Sequence, residues 1–305
     1  MPEYVDPILI ATPVFILCVI AEMIYVYRSG KGEYQSTDSF VSLMMGLGNT
    51  IVPALIGGFT VIWAFYVYDN WRVVDLGFGV LPFLTVLVLD DFKYYWVHRL
   101  GHRVRWMWAS HVIHHSSQHY NLTTALRQTW TGPISGGFLL ATPLFILGFH
   151  PALVAFAGAI NLIYQFWIHT EAIDKCPDWF EAIFNTPSHH RVHHSTLPEH
   201  LDRNYAGIFI VWDRLFGTFE PEDKERRPCR YGLVQDLGTF NPLRVALHEW
   251  INIGVDWRGT RRPSDWIRYA LKPPGWSPDG SRKTSEMIKA EYSSKQEDKK
   301  ASVRL

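Results

Sequence analysis

The sequence predicts an all-α membrane protein: a polytopic helix bundle with a cytoplasmic helical cap that carries a histidine-rich dimetal site. Three observations predict it. Charges are sparse in residues 1–97, while about half of all charged residues lie beyond Glu220. Five apolar stretches, about 8–27, 40–68, 76–97, 134–149 and 152–168, approach or exceed the roughly 20 residues that carry a helix across a bilayer. Ten of the fourteen histidines fall in two clusters, 98–119 and 189–194.

The first stretch follows a leading segment with no basic residues, and no small-residue cleavage site comes after it, so it reads as a retained span and not a signal peptide. Glu22 near its end is expected at the interface or against another helix. The second stretch carries Gly46, Gly48, Pro53, Gly57 and Gly58 and is longer than one straight span needs, so it predicts a kinked or partly broken helix. The third runs into Asp90-Asp91, where Asp91, Tyr94 and His98 share one helical face. The fourth and fifth form a hairpin around Gly148-Phe-His150-Pro151, either crossing fully or re-entrant.

Arg28 and Lys31 after the first span, and Arg99, Arg103 and Arg105 after the third, place the odd-numbered span ends on the cytoplasmic side. Every clustered histidine, and His169 at the end of the fifth span, then faces the cytoplasm, and His150 alone faces away. Residues 1–275 read as one integral-membrane domain, with the cap at 98–133 and 169–275. Glu222–Arg230 reads as a solvated loop, and the Trp-bearing segment 250–276 as amphipathic and able to lie on the membrane surface. Residues 276–305 are polar and predict a disordered or loosely docked tail. Zero formal net charge gives no footprint for nucleic acid. Cys18, Cys176 and Cys229 are isolated, which excludes a disulfide framework or a thiolate zinc site.

His111-Val-Ile-His114-His115 and His190-Arg-Val-His193-His194 repeat one spacing, and His98 and His102 stand at i, i+4. On a helix such spacings gather imidazoles on one stripe. The candidate metal ligands are His98, His102, His111, His114, His115, His190, His193 and His194, with His169 as a ninth. Four imidazoles saturate one zinc, so nine predict two metals, and imidazole alone does not choose among zinc, copper, iron and nickel. Asp91, Glu171 and Asp202 are placed to take the second N–H of a ligating ring. Gln165, four residues before His169, is expected to hydrogen-bond a ligand. His189 and His119 read as residues behind the ligands or facing substrate.

H-x3-H followed by two H-x2-H-H motifs around hydrophobic spans resembles the membrane fatty acid hydroxylase/sterol desaturase superfamily of non-haem di-iron enzymes. Trp108-Ala-Ser-His111-Val-Ile-His114-His115, Tyr164-Gln-Phe-Trp-Ile-His169-Thr-Glu171, Asn204-Tyr-Ala-Gly207 and Trp212-Asp-Arg-Leu-Phe-Gly-Thr218 are similar to the alkylglycerol monooxygenase branch. The resemblance, over roughly residues 80–220, implies two iron ions on the nine histidines and O2 as co-substrate. It further implies a membrane lipid hydroxylated or mono-oxygenated at a C–H bond. No cytochrome b5-like segment is present, so a separate electron donor, a pterin or a redox protein, is expected. The same site would serve a lipid or sterol desaturase. A zinc-dependent hydrolase would need a general base such as the Glu of H-E-x-x-H, and no Glu lies inside any motif. A metal transporter would need polar residues along the spans, and most of the spans offer almost none.

Overall fold

The computed structural model describes residues 7–225 and 227–303, with side chains described to residue 298. The leading segment 1–6, Arg226 of the charge run and the last two residues of the tail lie outside the described residues. All regular structure among the described residues is helical, and one isolated antiparallel bridge joins Phe184 to Phe209.

Helix α1 (Pro7–Ser29) coincides with the first predicted span. The second is divided: α2 (Ser36–Ile56) ends at Gly57, whose N–H returns to Pro53 O at 2.7 Å, and α3 (Gly58–Trp71) starts afresh. Pro53 cannot donate to the helix ladder, and the chain breaks one turn later. Helix α4 (Val80–Arg103) starts inside the third span and continues past it without a break, so it carries His98 and His102 up into the cap. Val104 is extended (φ −118°, ψ 113°), and across it α5 (Arg105–His115) folds back against α4. A four-residue turn, α6 (Leu122–Ala125), follows, capped by Asn121.

The fourth span differs from the expectation. Residues 134–149 do not form one helix but two 3₁₀ segments (Gly132–Ser135 and Gly137–Ala141) and the short α7 (Thr142–Leu147). Pro133 and Pro143 supply no N–H, and Gly136 sits in the left-handed region at φ 82°, so an unbroken ladder cannot form. The segment ends at Gly148 (φ 101°), where a Cβ would lie 1.8 Å from Val74 O, so only glycine fits. Helix α8 (Pro151–Trp167) then runs back, its first turn capped by His150 Nδ1, which accepts from Ala152 N–H at 3.1 Å.

The cap is completed by α9 (Asp178–Ile183), α10 (Pro187–His194), α11 (Val211–Leu215), α12 (Pro242–Gly259) and α13 (Pro263–Leu271). Of the two expectations for the tail, the described part follows docking: residues 285–303 form α14 (Ser285–Val303), held to the cap by Arg103–Glu286 and by Tyr292 Oη donating to Glu199.

Three apolar clusters position these parts. Val67, Val86, Phe145, Leu153 and Ala157 join α3, α4, α7 and α8. Val41, Met45, Val112, Ile113 and Val245 join α2, α5 and α12. Leu122, Ala125 and Phe166 pack with α1. Outside these seams the apolar residues of α1, α2, α3 and the first turns of α4 face outward, among them Leu9, Leu17, Leu55, Ile62 and Leu81. Helices α1 and α2 are long and apolar enough to cross a membrane, and outward apolar faces on this scale belong to a membrane protein.

Candidate metal centre

The nine predicted histidines converge, and they divide into two sets. His98, His102, His111, His115 and His193 form one, and His114, His169, His190 and His194 the other. In each set the candidate ligand atoms lie within 4.8 Å of one another. Two nitrogens on opposite sides of one metal stand about 4.2 Å apart, twice the ~2.1 Å bond of zinc to histidine.

The division follows from helix geometry. Each H-x-x-H-H motif sends its first and last histidines (His111 and His115; His190 and His194) to one set and its middle one (His114; His193) to the other. Adjacent residues on a helix point about 100° apart, so the vicinal pairs 114/115 and 193/194 straddle the seam between the sets. The sequence expectation of one common stripe is refined here: each motif serves both centres.

The outer nitrogens fix the inner ones. Nδ1 of His98 lies 2.7 Å from Tyr205 O, that of His193 2.9 Å from Arg203 O, that of His114 3.2 Å from Arg127 O and that of His169 2.7 Å from Gln165 O. A carbonyl only accepts, so each Nδ1 carries the proton, and a neutral imidazole then has a bare lone pair on Nε2. The Nε2 atoms of His114 and His169 face each other at 3.1 Å with no proton to share. Those of His102, His193 and His194 are buried without a hydrogen-bond partner. Lone pairs turned on one another in this way are the arrangement a cation resolves, so the residues present fit two metal ions.

Burial keeps the rings neutral. It lowers His114 to about 4 and holds His111, His115, His169, His190, His193 and His194 well below the ordinary imidazole value, because a buried charge loses its hydration. Neutral imidazole is the ligating form.

The residues expected behind the ligands are distributed differently. Asp202 does stand behind one, 3.6 Å from His102 Nδ1; burial alone would raise its carboxyl, but His102 and Arg103 hold it below the usual value. Asp91 touches no histidine. Its oxygens accept from Ile208 N–H (2.7 Å), Phe209 N–H (3.0 Å), Trp212 Nε1 (2.9 Å) and Asn161 Nδ2 (2.8 Å), so it pins the loop that follows the Tyr205 carbonyl. Gln165 serves His169 through its main-chain carbonyl; its side chain accepts from Tyr94 Oη at 2.7 Å and donates to Asn161. Glu171 accepts from Tyr231 Oη at 3.0 Å and reaches no ligand. His119 lies outside both sets, with Nδ1 3.1 Å from Asp38. His189 Nε2 is 3.7 Å from Glu181, and burial lowers it to about 4.

Several supporting residues were not singled out from sequence. Arg127 is buried against Asp38 at 2.5 Å, and Asp38 also accepts from Ser117, Gln118 N–H and His119 N–H, which ties the start of α2 to the loop after α5. Arg191 pairs with Glu222 and donates to the carbonyls of Thr170 and Ile173, anchoring α10. Asp213 accepts from the N–H groups of Tyr205 and Ala206, both at 2.8 Å. Gly207 fits because a Cβ there would lie 2.4 Å from Asn161 Oδ1 and 2.7 Å from Asp91 Oδ1. Glu22, expected at an interface or a helix contact, is buried and accepts from Leu122 N–H at 2.8 Å and from Thr170 Oγ1.

Residues 83–218, which contain all nine histidines, match the fatty acid hydroxylase family. Over 92% of its length it is 38% identical to alkylglycerol monooxygenase of Xenopus tropicalis, and over 92% it is 36% identical to that of Homo sapiens. It spans only about three fifths of those relatives, 61% and 62% of their lengths. An ornithine lipid hydroxylase of Rhizobium tropici is 30% identical over 44% of this chain and 40% of its own length. No solved structure matches.

Proposed function

We propose that the chain is an integral-membrane di-iron monooxygenase that hydroxylates a C–H bond of a lipid, with O2 as co-substrate and electrons from a separate donor. The observation that carries the reading is the pair of all-histidine sets, each with buried, unprotonated Nε2 atoms turned inward. Five imidazoles exceed the tetrahedral set of a structural zinc, and the supporting relatives are named as lipid oxygenases and hydroxylases. His98, His102, His111, His115 and His193 would hold one iron, and His114, His169, His190 and His194 the other. Bound there, iron supplies reductive activation of O2 toward an unactivated C–H bond.

The chain's own residues do the rest. The carbonyls of Tyr205, Arg203, Arg127 and Gln165 hold the Nδ1 protons and so orient the rings. His98, His102, His115, His169, His190, His193 and His194 are themselves buried, which limits water around the rings. An ether lipid of the alkylglycerol kind is the first substrate to try, on the strength of the relatives' name. The proposed topology is multi-pass with the metal end toward the cytoplasm, supported by Arg99, Arg103 and Arg105 at that end of α4.

Metal analysis of the purified protein, with O2 consumption on membrane lipid extracts, tests the reading. Two irons per chain and a product heavier by one oxygen atom are expected. Fewer than two metals would sink the di-iron assignment, and loss of two hydrogens from the lipid would move the reaction to desaturation.

A further inference from the structure

Helices α12 and α13 form a hairpin whose outer side is left exposed. Leu243, Leu247, Ile251 and Val255 stand four residues apart along α12 and are 62%, 38%, 57% and 58% exposed, which makes one continuous apolar stripe. Trp266, Ile267 and Leu271 extend it onto α13 and are exposed as well. The stripe begins at Leu243, before the segment that the sequence marks as amphipathic. Contiguous exposed apolar surface of this kind marks a site of contact.

The neighbours of the hairpin set its depth. Val245 and Ala246, on the other side of α12, pack with Val41 and Met45 near the start of α2, where Leu43 and Leu47 face outward. Trp250 Nε1 donates to Thr131 Oγ1 and Trp106 Nε1 to Ile134 O, both at 3.0 Å, so α12 lies beside the start of the fourth apolar segment. Trp257 and Trp266 each donate Nε1–H to the other's carbonyl at 3.0 Å, and tryptophan concentrates at the membrane–water boundary. The stripe is therefore continuous with the apolar outer faces of the spanning helices. Charge points the same way. Arg244 stands three residues before Leu247 and Arg258 three after Val255, on the stripe's own face, and Arg261 and Arg262 follow in the turn. All four are exposed, and none makes an ion pair among the described residues. The carboxylates of the hairpin are all engaged: Glu249 and Asp256 with Arg105, Asp256 also with Arg282, and buried Asp265 with Arg268.

We infer that the α12–α13 hairpin docks the cap on an anionic bilayer surface. The apolar stripe enters the boundary between head groups and acyl chains, and Arg244, Arg258, Arg261 and Arg262 extend their guanidinium groups to lipid phosphates. A zwitterionic bilayer offers the same apolar boundary without net charge, whereas anionic lipids draw basic segments that lie next to the membrane. Docking has a consequence inside the cap. The buried side of α12 holds Arg105 and packs on Val112 and Ile113, so it braces α5, which carries His111, His114 and His115. The inference takes the outward apolar faces of α1 and α2 as its reference for the membrane, and it needs neither the iron nor the oxygenase reading.

The test uses the full chain, one per nanodisc, in discs of phosphatidylcholine alone or with a third of phosphatidylglycerol, and follows hydrogen–deuterium exchange. Peptides covering 242–271 should exchange at least about fivefold more slowly in the anionic discs, the worth of one arginine at such a surface. Added salt should erase the difference, and peptides of α4 and α8 should not change. Arg244→Gln, Arg258→Gln, Arg261→Gln and Arg262→Gln together should abolish the lipid dependence and leave the melting temperature in place. Leu247→Gln with Ile251→Gln should speed exchange in both kinds of disc. If the four-glutamine variant fails to fold, Arg261→Gln with Arg262→Gln in the exposed turn takes its place and should weaken the dependence. Equal exchange of 242–271 in the two discs would overturn the inference, as would a lipid dependence that the folded glutamine variant keeps in full. So would protection that appears only in discs holding two chains, which would mean that a second copy covers the stripe. Because neither metal nor turnover is measured, a protein that oxidises no lipid leaves the docking standing, and one indifferent to anionic lipid leaves the oxygenase reading standing.

Discussion

The five-histidine and four-histidine sets share their helices but not their supports. The set of four is backed by carbonyls at the end of a turn and the end of a helix, Arg127 O and Gln165 O, and no carboxylate stands behind a ring in it. The set of five leans on a loop: Arg203 O and Tyr205 O, with Asp202 behind His102. Asp202 and Asn204 both sit in the left-handed region, at φ 53° and 54°, a conformation that short polar side chains tolerate best. The difference teaches that one centre is built on rigid helices and a buried cation, and the other on a loop held by Asp91 and Asp213 from outside. Each centre can therefore be disturbed by its own route.

The largest effect removes both at once. His114→Ala with His193→Ala takes the middle ligand from each motif and one ligand from each set. Metal analysis should find fewer than two ions per chain, and activity should fall by more than the roughly 10–100-fold typical for loss of an outer partner. Full metal content in that double variant would break the two-set division.

Acid comes next and does not discriminate. His114 and His189, lowered to about 4 by burial, bind fewer protons folded than unfolded between there and the ordinary value near 6.5. Stability therefore rises with pH across this window and is lost as pH falls from about 6.5 toward 4. Thermal unfolding of the detergent-solubilised protein should shift downward over that interval, with release of metal.

Arg127→Met acts on the four-histidine side. It leaves Asp38 buried without its cation, a kind of loss that costs about 3–5 kcal/mol, and it loosens the segment whose carbonyl orients His114. The melting temperature should fall, and the metal lost first should be the one held by His169, His190 and His194.

Asp202→Asn is the mildest and acts on the five-histidine side. Removal of a carboxylate behind a ligating ring typically costs about 10–100-fold in affinity. Titration with a chelator should strip one ion more easily and move the other's midpoint by less. Equal weakening of both would show that the loop and helix supports are not separable.

The residues of the centre were legible in the sequence because histidine at i, i+3 and i+4 has few other uses on a helix end. Their allocation to two sets was not, since it depends on where α4, α5, α8 and α10 meet. The partners of Nδ1 were hidden for a simpler reason: every residue has a carbonyl, and nothing in Arg203 or Tyr205 marks it as the one that is used. The face that Asp91 shares with Tyr94 and His98 left open whether Asp91 turns inward or sits at the interface; it is buried, and its partners include backbone amides more than a hundred residues on. Residues 134–149 misled because composition reports apolarity and not the ladder that Pro133, Gly136 and Pro143 interrupt. For the tail, composition left disorder and docking both open. Its polar composition hides one helical face, where Ile288, Lys289 and Tyr292 come at the i, i+3 and i+4 spacing that lets α14 settle on the cap, with Arg227 over the Tyr292 ring.

The crossing of the motifs would also govern how the protein acquires the two ions proposed for it. Helices α5 and α10 each reach into both sets, so the first ion to arrive draws together the two segments that the second one needs. The ordering cost of the second set is then already met, which makes the two uptakes mutually reinforcing. A half-loaded chain should be less populated than two independent sites would give, although loss of one set's support still lets that set's ion leave first.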